Sequence, residues 1–260
     1  MQLFFQYLPY FLLVFCRITS FFVVAPIYSS RGVPIQFKIG FSIFVALFTF
    51  FTLSIETSVS WDLLIIPLIL KEVLIGLLLG FVAYLFFMVV QISGSFVDMQ
   101  MGFGIANVID PMTGTQSPVL GNFKFFIMTL IFLAMNGHHL LLRGIMQSYE
   151  WVPIDHKIFQ SIEDGTISAF LVESFTLVFA SAFQMTAPLI AALFLTDVAL
   201  GILAKTAPQF NIFVVGIPLK IIVGYVMLLL LVPGFLYLFT QLFETMFNEM
   251  SRLLDLIGST

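Results

Sequence analysis

Polar and apolar positions along this chain alternate on the scale of whole helices. Six long apolar blocks, near residues 3–25, 37–55, 63–92, 123–148, 167–204 and 217–247, are separated by shorter polar stretches. About 20 apolar residues of helix cross the roughly 30 Å of a bilayer's hydrocarbon, so the pattern predicts membrane-spanning helices. The breaks are well marked. Pro26, Gly32 and Pro34 separate the first pair, and Glu56 and Asp62 bound the next gap. Asp155, His156, Lys157, Glu163 and Asp164 make 153–165 a solvated connection, and Pro208 and Asn211 part the last pair. Three blocks predict more than a straight span. Residues 63–92 carry Pro67 and then Lys71-Glu72; 167–204 contain Glu173, Gln184, Pro188 and Asp197; 217–247 contain Pro233-Gly234. Proline removes a helical donor and clashes with the preceding turn, so kinks are expected there. Kinked backbone survives at membrane depth where protein or a water-filled cavity satisfies the freed groups. The pattern therefore points to a packed assembly or a conduit.

Composition turns apolar helices into an integral membrane protein. Mean hydropathy is +1.11 and only 9% of residues are charged, far from soluble usage. The 33 phenylalanines suit lipid contact and tight helix packing. A net charge of −4, scattered along the chain, leaves no basic stripe for nucleic acid. The single Cys16 excludes an intramolecular disulfide framework. No basic stretch precedes the first apolar block and no small-residue cleavage site follows it, so that block is expected to be retained. Arg31, Lys38, Lys124, Lys205 and Lys220 fall on alternate connections. The positive-inside tendency then puts the connections near 31, 110 and 208 on the cytoplasmic side, with both termini outside.

Arg17, Lys71, Glu72, Glu173 and Asp197 lie inside apolar blocks. Each costs roughly 2.5–3.5 kcal/mol at the centre of a bilayer. Neighbours on a helix point about 100° apart, so Lys71 and Glu72 are expected to find partners elsewhere and not in each other. Three readings are open: an ion or proton path, salt bridges between helices or subunits, or helices that do not all lie in lipid.

Enzymatic chemistry finds little purchase. Gly102-Phe103-Gly104 begins like a dinucleotide fingerprint, but the next required glycine falls on Asn107 and no strand precedes it. There is no P-loop, H-E-x-x-H or G-x-S-x-G. His138-His139 follows Asn136-Gly137, and adjacent histidines on a helix cannot both face one metal; packing or capping at a helix irregularity fits better. Asp98 and Asp110 have no nucleophile to make them a catalytic pair. What remains is 98–123, rich in glycine and turn formers (Asp110-Pro111, Thr113-Gly114) and carrying Met99, Met101 and Met112. Methionine seals irregular gaps and deforms readily. The segment is either the flexible lining of a conduit or a connector that packs.

Six stretches carry a resemblance, in order and over nearly the whole chain. They are "APIYSSRGVPIQFKIG" at 25–40, "LKEVLIGLLLGF" at 70–81, "GSFVDMQMGFG" at 94–104, "DPMTGTQSPVLGNF" at 110–123, "NGHHLLL" at 136–142 and "APQFNIFVVGIPLKI" at 207–221. Together they resemble the FliR family, the R component of the flagellar protein-export gate, related to the T component of injectisome type III secretion. The resemblance implies an all-α membrane protein of about six helical blocks, several long and kinked. It implies a P-type helical part over 1–160, including a plug at 94–122, fused to a Q-type hairpin over 161–260. It implies a non-enzymatic gate subunit without cofactor or metal, in a bacterial cytoplasmic membrane at the flagellar basal body. Its expected partners are P-type and Q-type subunits, the large export-gate membrane protein, and unfolded protein substrates. Carried over by position, the plug or lining comprises Gln100, Met101, Gly102, Phe103, Gly104, Asp110, Pro111, Gln116 and Gly121. Gln209, Asn211, Pro218 and Lys220 form the hairpin turn, and Arg17, Lys71, Glu72, Glu173 and Asp197 become inter-helix or inter-subunit pairs. The alternative class is a solute or ion transporter with broken helices.

Overall fold

In the computed structural model, the structure describes residues 2–30, 32–53, 65–103, 118–154, 164–209 and 211–258. Among these, every regular element is an α-helix: α1 (Gln2–Val24), α2 (Ile35–Thr52), α3 (Ile65–Met101), α4 (Val119–Ala134), α5 (Gly137–Trp151), α6 (Thr166–Thr206) and α7 (Ile212–Gly258). Five are long and apolar enough to cross a membrane. The bent pair α4–α5 makes a sixth crossing if it is counted as one span. The chain is thus an all-α membrane protein, with helix order following the six blocks.

The breaks obey local chemistry, and the prolines within the long blocks do not end their helices. Pro188 lies inside α6, and Pro218 and Pro233 inside α7, and both helices continue through them. The sharp break falls inside the fourth block, where α4 and α5 meet at 70°. Asn136 supplies it by adopting the left-handed conformation (φ 58°, ψ 25°), which Asn tolerates better than most side chains. Its carbonyl then accepts from the His139 and Leu140 N–H groups and starts α5. His138 and His139 therefore sit at a helix irregularity. The Tyr28 phenol donates to the His138 carbonyl at 3.2 Å. Burial pushes that phenol up to about 12, so it remains a donor across physiological pH.

The chain divides into two compact units. One comprises Met1–Phe86, Met135–Phe175 and Glu244–Thr260; the other comprises Phe87–Ala134 and Thr176–Phe243. In the first, α1 and α3 approach at two glycines. A Cβ on Gly76 would stand 2.1 Å from the Arg17 carbonyl oxygen, and one on Gly80 would stand 2.9 Å from that of Phe21. Such G-x-x-x-G contacts let helix backbones touch where apolar side chains have no advantage over lipid tails. Aromatic edges fill the α1–α2 seam, with Phe22 packed on Tyr28 and Phe41. The outer face of α2 leaves Phe37, Phe44, Phe48 and Phe51 exposed, as a lipid-facing stripe requires. In the second unit, Phe87, Phe125, Phe132 and Phe243 form an aromatic knot with centroids 4.8–6.1 Å apart.

Candidate functional site

Two constellations of charge stand out, one in each unit. In the first unit Arg17 is fully buried. Its guanidinium forks onto Glu72, with Nε donating to Oε2 at 2.5 Å and Nη2 to Oε1 at 3.1 Å. Its other protons go to Ser148 Oγ (3.0 Å) and to the Ser148 and Val152 carbonyls (3.1 and 2.9 Å). The Tyr149 ring lies 4.0 Å beneath it. Lys71 Nζ donates to the Pro153 carbonyl at 3.1 Å and also to that of Ile154. The two cations thus meet backbone carbonyls at and just beyond the end of α5, the pole at which positive charge is favoured. The Gly76 contact explains the placement: α1 and α3 touch one turn from Glu72, which brings Arg17 within reach.

One sequence expectation fails here. Lys71 and Glu72 do interact directly, Nζ to Oε1 at 3.1 Å. The 100° offset of neighbouring helix positions is overcome by the four-carbon Lys stem, which swings while its ammonium also reaches the α5 terminus. Glu173 departs from its reading as a buried charge. It pairs with Arg252 at 2.8 Å on an exposed face, where the two side chains are 60% and 46% accessible.

The second constellation surrounds the base of the 98–122 segment. Helix α3 ends on a paired terminator: the Phe103 N–H donates to the Asp98 carbonyl (3.0 Å) and the Gly102 N–H to that of Met99 (3.2 Å). Gly102 takes φ +90°, as the glycine of this helix-ending motif does. Met101 is fully buried with Val97, Leu120, Leu189 and Leu193, and Phe103 packs on the same cluster. The Met101 sulfur lies where a Cβ on Gly224 of α7 would be, 2.7 Å away.

The Asp98 side chain reaches across the segment to the start of α4. Both its oxygens accept the Leu120 N–H at 3.2 Å, and the Val119 and Gly121 N–H groups also point at it. Those are the first N–H groups of a helix, which have no partner in their own turn. Pro118 before them offers no side-chain acceptor, so a residue from another helix caps α4. The crossing is close: a Cβ on Gly94 would lie 2.0 Å from the Gly121 Cα.

A polar triad anchors the same end of α3. Gln100 Nε2 donates to Asp197 Oδ2 at 3.1 Å, and Lys220 Nζ pairs with Asp197 Oδ1 at 2.5 Å. Sequence reading assigned these three to different roles; the structure brings them together. Asp197 is 38% accessible and not deeply buried. Residues 207–209 follow α6, and Asn211 caps α7 by accepting the Phe213 N–H at 3.2 Å. Gln209 lies in the stretch that follows α6, whereas Pro218 and Lys220 lie inside α7. Gly104, Asp110, Pro111 and Gln116 fall outside the described residues.

Sequence reasoning weighed Asp98 only as half of a catalytic pair, used Lys124 only as a connection charge, and gave Gly94 no role. Pro118 heading an apolar helix with no capping side chain was the available signal for Asp98. Lys124, counted there as a connection charge, is in α4 and only 5% exposed, with its ammonium 4.5 Å over the Phe235 ring. Among the described residues, no group of three or more His, Cys, Asp or Glu side chains converges as a metal site would require.

Comparison with known proteins joins these features to a family. The family described as bacterial export proteins, family 1, matches residues 8–246. The flagellar biosynthetic protein FliR of Bacillus subtilis strain 168 is 46% identical over 250 residues, 96% of each chain. FliR of Escherichia coli K12 is 29% identical over 241 residues, 92% of this chain and 90% of that one. The Yop proteins translocation protein T of Yersinia pestis is 26% identical over 216 residues, 82% of each.

Proposed function

The chain belongs to the FliR family of bacterial export proteins, components of the flagellar type III export apparatus, and from that premise we propose that it lines the export gate's channel. It works as a non-enzymatic subunit in the cytoplasmic membrane, passing unfolded flagellar proteins outward, with P-type and Q-type subunits and the large export-gate protein as neighbours. The family assignment lends no support to the solute- or ion-transporter alternative. The 98–122 segment closes the pore at rest.

One observation carries the plug reading. The ends of the segment are held by a cap, a helix terminator and a glycine crossing, while the stretch between contains the turn formers and Met112. A clamped base positions a movable closure without needing to move itself. The division near residue 160 into P-like and Q-like parts belongs to the same proposal. It concerns the origin of the two parts, and each compact unit draws on both sides of it.

Deleting the chain should abolish motility and the export of hook and filament proteins; intact export after a clean deletion ends the proposal. Deleting only 106–116 should leave the chain assembled in the membrane and make it leak ions. A tight, assembled deletion variant would reduce the segment to a connector.

A further inference from the structure

The last residue of α3 is seated in α7. A Cβ on Gly224 would stand 2.5 Å from the Met101 Cε, 2.7 Å from its sulfur and 3.0 Å from its Cγ. The methionine therefore lies along the glycine, and the outer part of its side chain fills the space that any larger residue at 224 would take. Ile221, Met227 and Leu228 pack against the same cluster. Helix positions three or four apart share a face, so Gly224 is the floor of a notch with larger side chains before and after it. Glycine is a poor helix residue, yet α7 runs on through it. Gly234 in the same helix has open space over it, whereas the space over Gly224 is occupied.

Met101 is fully buried, with Val97, Leu120, Leu189 and Leu193 around it. A side chain so enclosed cannot swing aside for a Cβ at 224; the end of α3 has to shift. The Gln100–Asp197–Lys220 contacts lie beside this seat. Lys220 is one turn before Gly224 on α7, and Leu193 one turn before Asp197 on α6, so consecutive residues of α3 engage the same rows of both helices. Gly102 follows at once with φ +90°. The seat of Met101 thus sets where the chain leaves α3.

We propose that the Gly224 notch is a detent for the gate: Gly224 is a positioning residue, and Met101 seated on it holds the 98–122 segment in its closed position. The inference rests on the reading of that segment as the closure of the pore. Residue type suits release as well as hold. Methionine is unbranched and flexible, so it is drawn out along its own length as the end of α3 moves, and α7 has no Cβ there to catch it.

The test uses the full chain in cells, with its level in membranes read by immunoblot and ion leak by a potential-sensitive dye. Gly224→Val should keep the level of the parent chain and raise leak about threefold or more, the order set by coupling between side chains in contact. Met101→Ala, which empties the seat, should leak as well. The two combined should be tighter than either alone, since valine adds at 224 as many heavy atoms as Met101→Ala removes. If Gly224→Val is degraded, Gly224→Ala takes its place, and its leak should likewise fall when Met101→Ala is added. An assembled variant at Gly224 that stays tight overturns the proposal, as does a double variant that leaks as much as the worse single one. Deleting 106–116 in the same cells tests the underlying reading separately. A leaking deletion beside a tight Gly224 variant removes the detent and leaves the plug standing; a tight deletion removes the plug itself.

Discussion

The Arg17–Glu72–Lys71 network and the base of the 98–122 segment solve the same problem in opposite ways. Both hold helices together by charge in an apolar chain. In the first, three charges are wholly withdrawn from solvent and spend their hydrogen bonds on each other and on the carbonyls ending α5. Such a network has one arrangement, and its contribution is registry: it sets which turn of α1 faces which turn of α3. At the base of the segment, the contacts are fewer and separable. Asp98 holds backbone N–H groups, Asp197 holds two partners while 38% accessible, and Lys124 finds no hydrogen-bond partner among the described residues. If the segment closes the pore as proposed, contacts that can be released one at a time suit it better than a single locked network.

The sharpest way to break this contrast is Glu72→Ala. It strands two buried cations and should cost about 3–5 kcal/mol, enough to remove the chain from membranes by immunoblot. Normal levels would mean the network is not the keystone of its unit.

Gly94→Leu should come next. Its side chain would meet Gly121 backbone at a crossing already closed to a Cβ, and rigid helix backbone cannot yield as a side-chain tip can. Overpacking of this kind costs about 1–3 kcal/mol, read as a lower Tm in detergent. An unchanged Tm would mean that α3 and α4 do not cross this closely.

Asp98→Ala should lose a similar amount, about 1.5–3 kcal/mol, because a charged acceptor leaves buried N–H groups behind. Hydrogen exchange should then rise at Leu120 and Gly121 first. Exchange rising uniformly along α4 would contradict a local cap.

Asp197→Asn should cost little stability, about 1 kcal/mol or less for a part-exposed pair, yet raise ion leak by loosening Gln100 at the foot of the segment. A leak without loss of Tm separates anchoring from folding; no leak would make the triad merely structural. Glu173→Gln should be smallest, at most about 1 kcal/mol and without leak, since its pair with Arg252 is exposed.

Much of the fold was legible because hydropathy is a local property. The apolar blocks became helices nearly in place, and Asn136-Gly137 marked an irregularity that became the 70° bend. The prolines lie inside continuous helices, Pro188 in α6 and Pro218 and Pro233 in α7, so they mark where a helix bends and not where it ends. Gly76-x-x-x-Gly80 was readable as a small-residue motif but not its partner, which is backbone.

What the sequence determined by itself was therefore chemical class: a helical membrane chain, the order of its spans, the places where polar groups must be explained, and a family written in six motifs. What only tertiary structure decided was pairing. Arg17 meets Glu72 across 55 residues and the Val152 carbonyl across 135, and Asp98 caps a helix that begins 21 positions later. A charge in an apolar run announces that a partner exists. Which partner it has depends on where two helices can touch, and at these crossings glycine backbone sets that point.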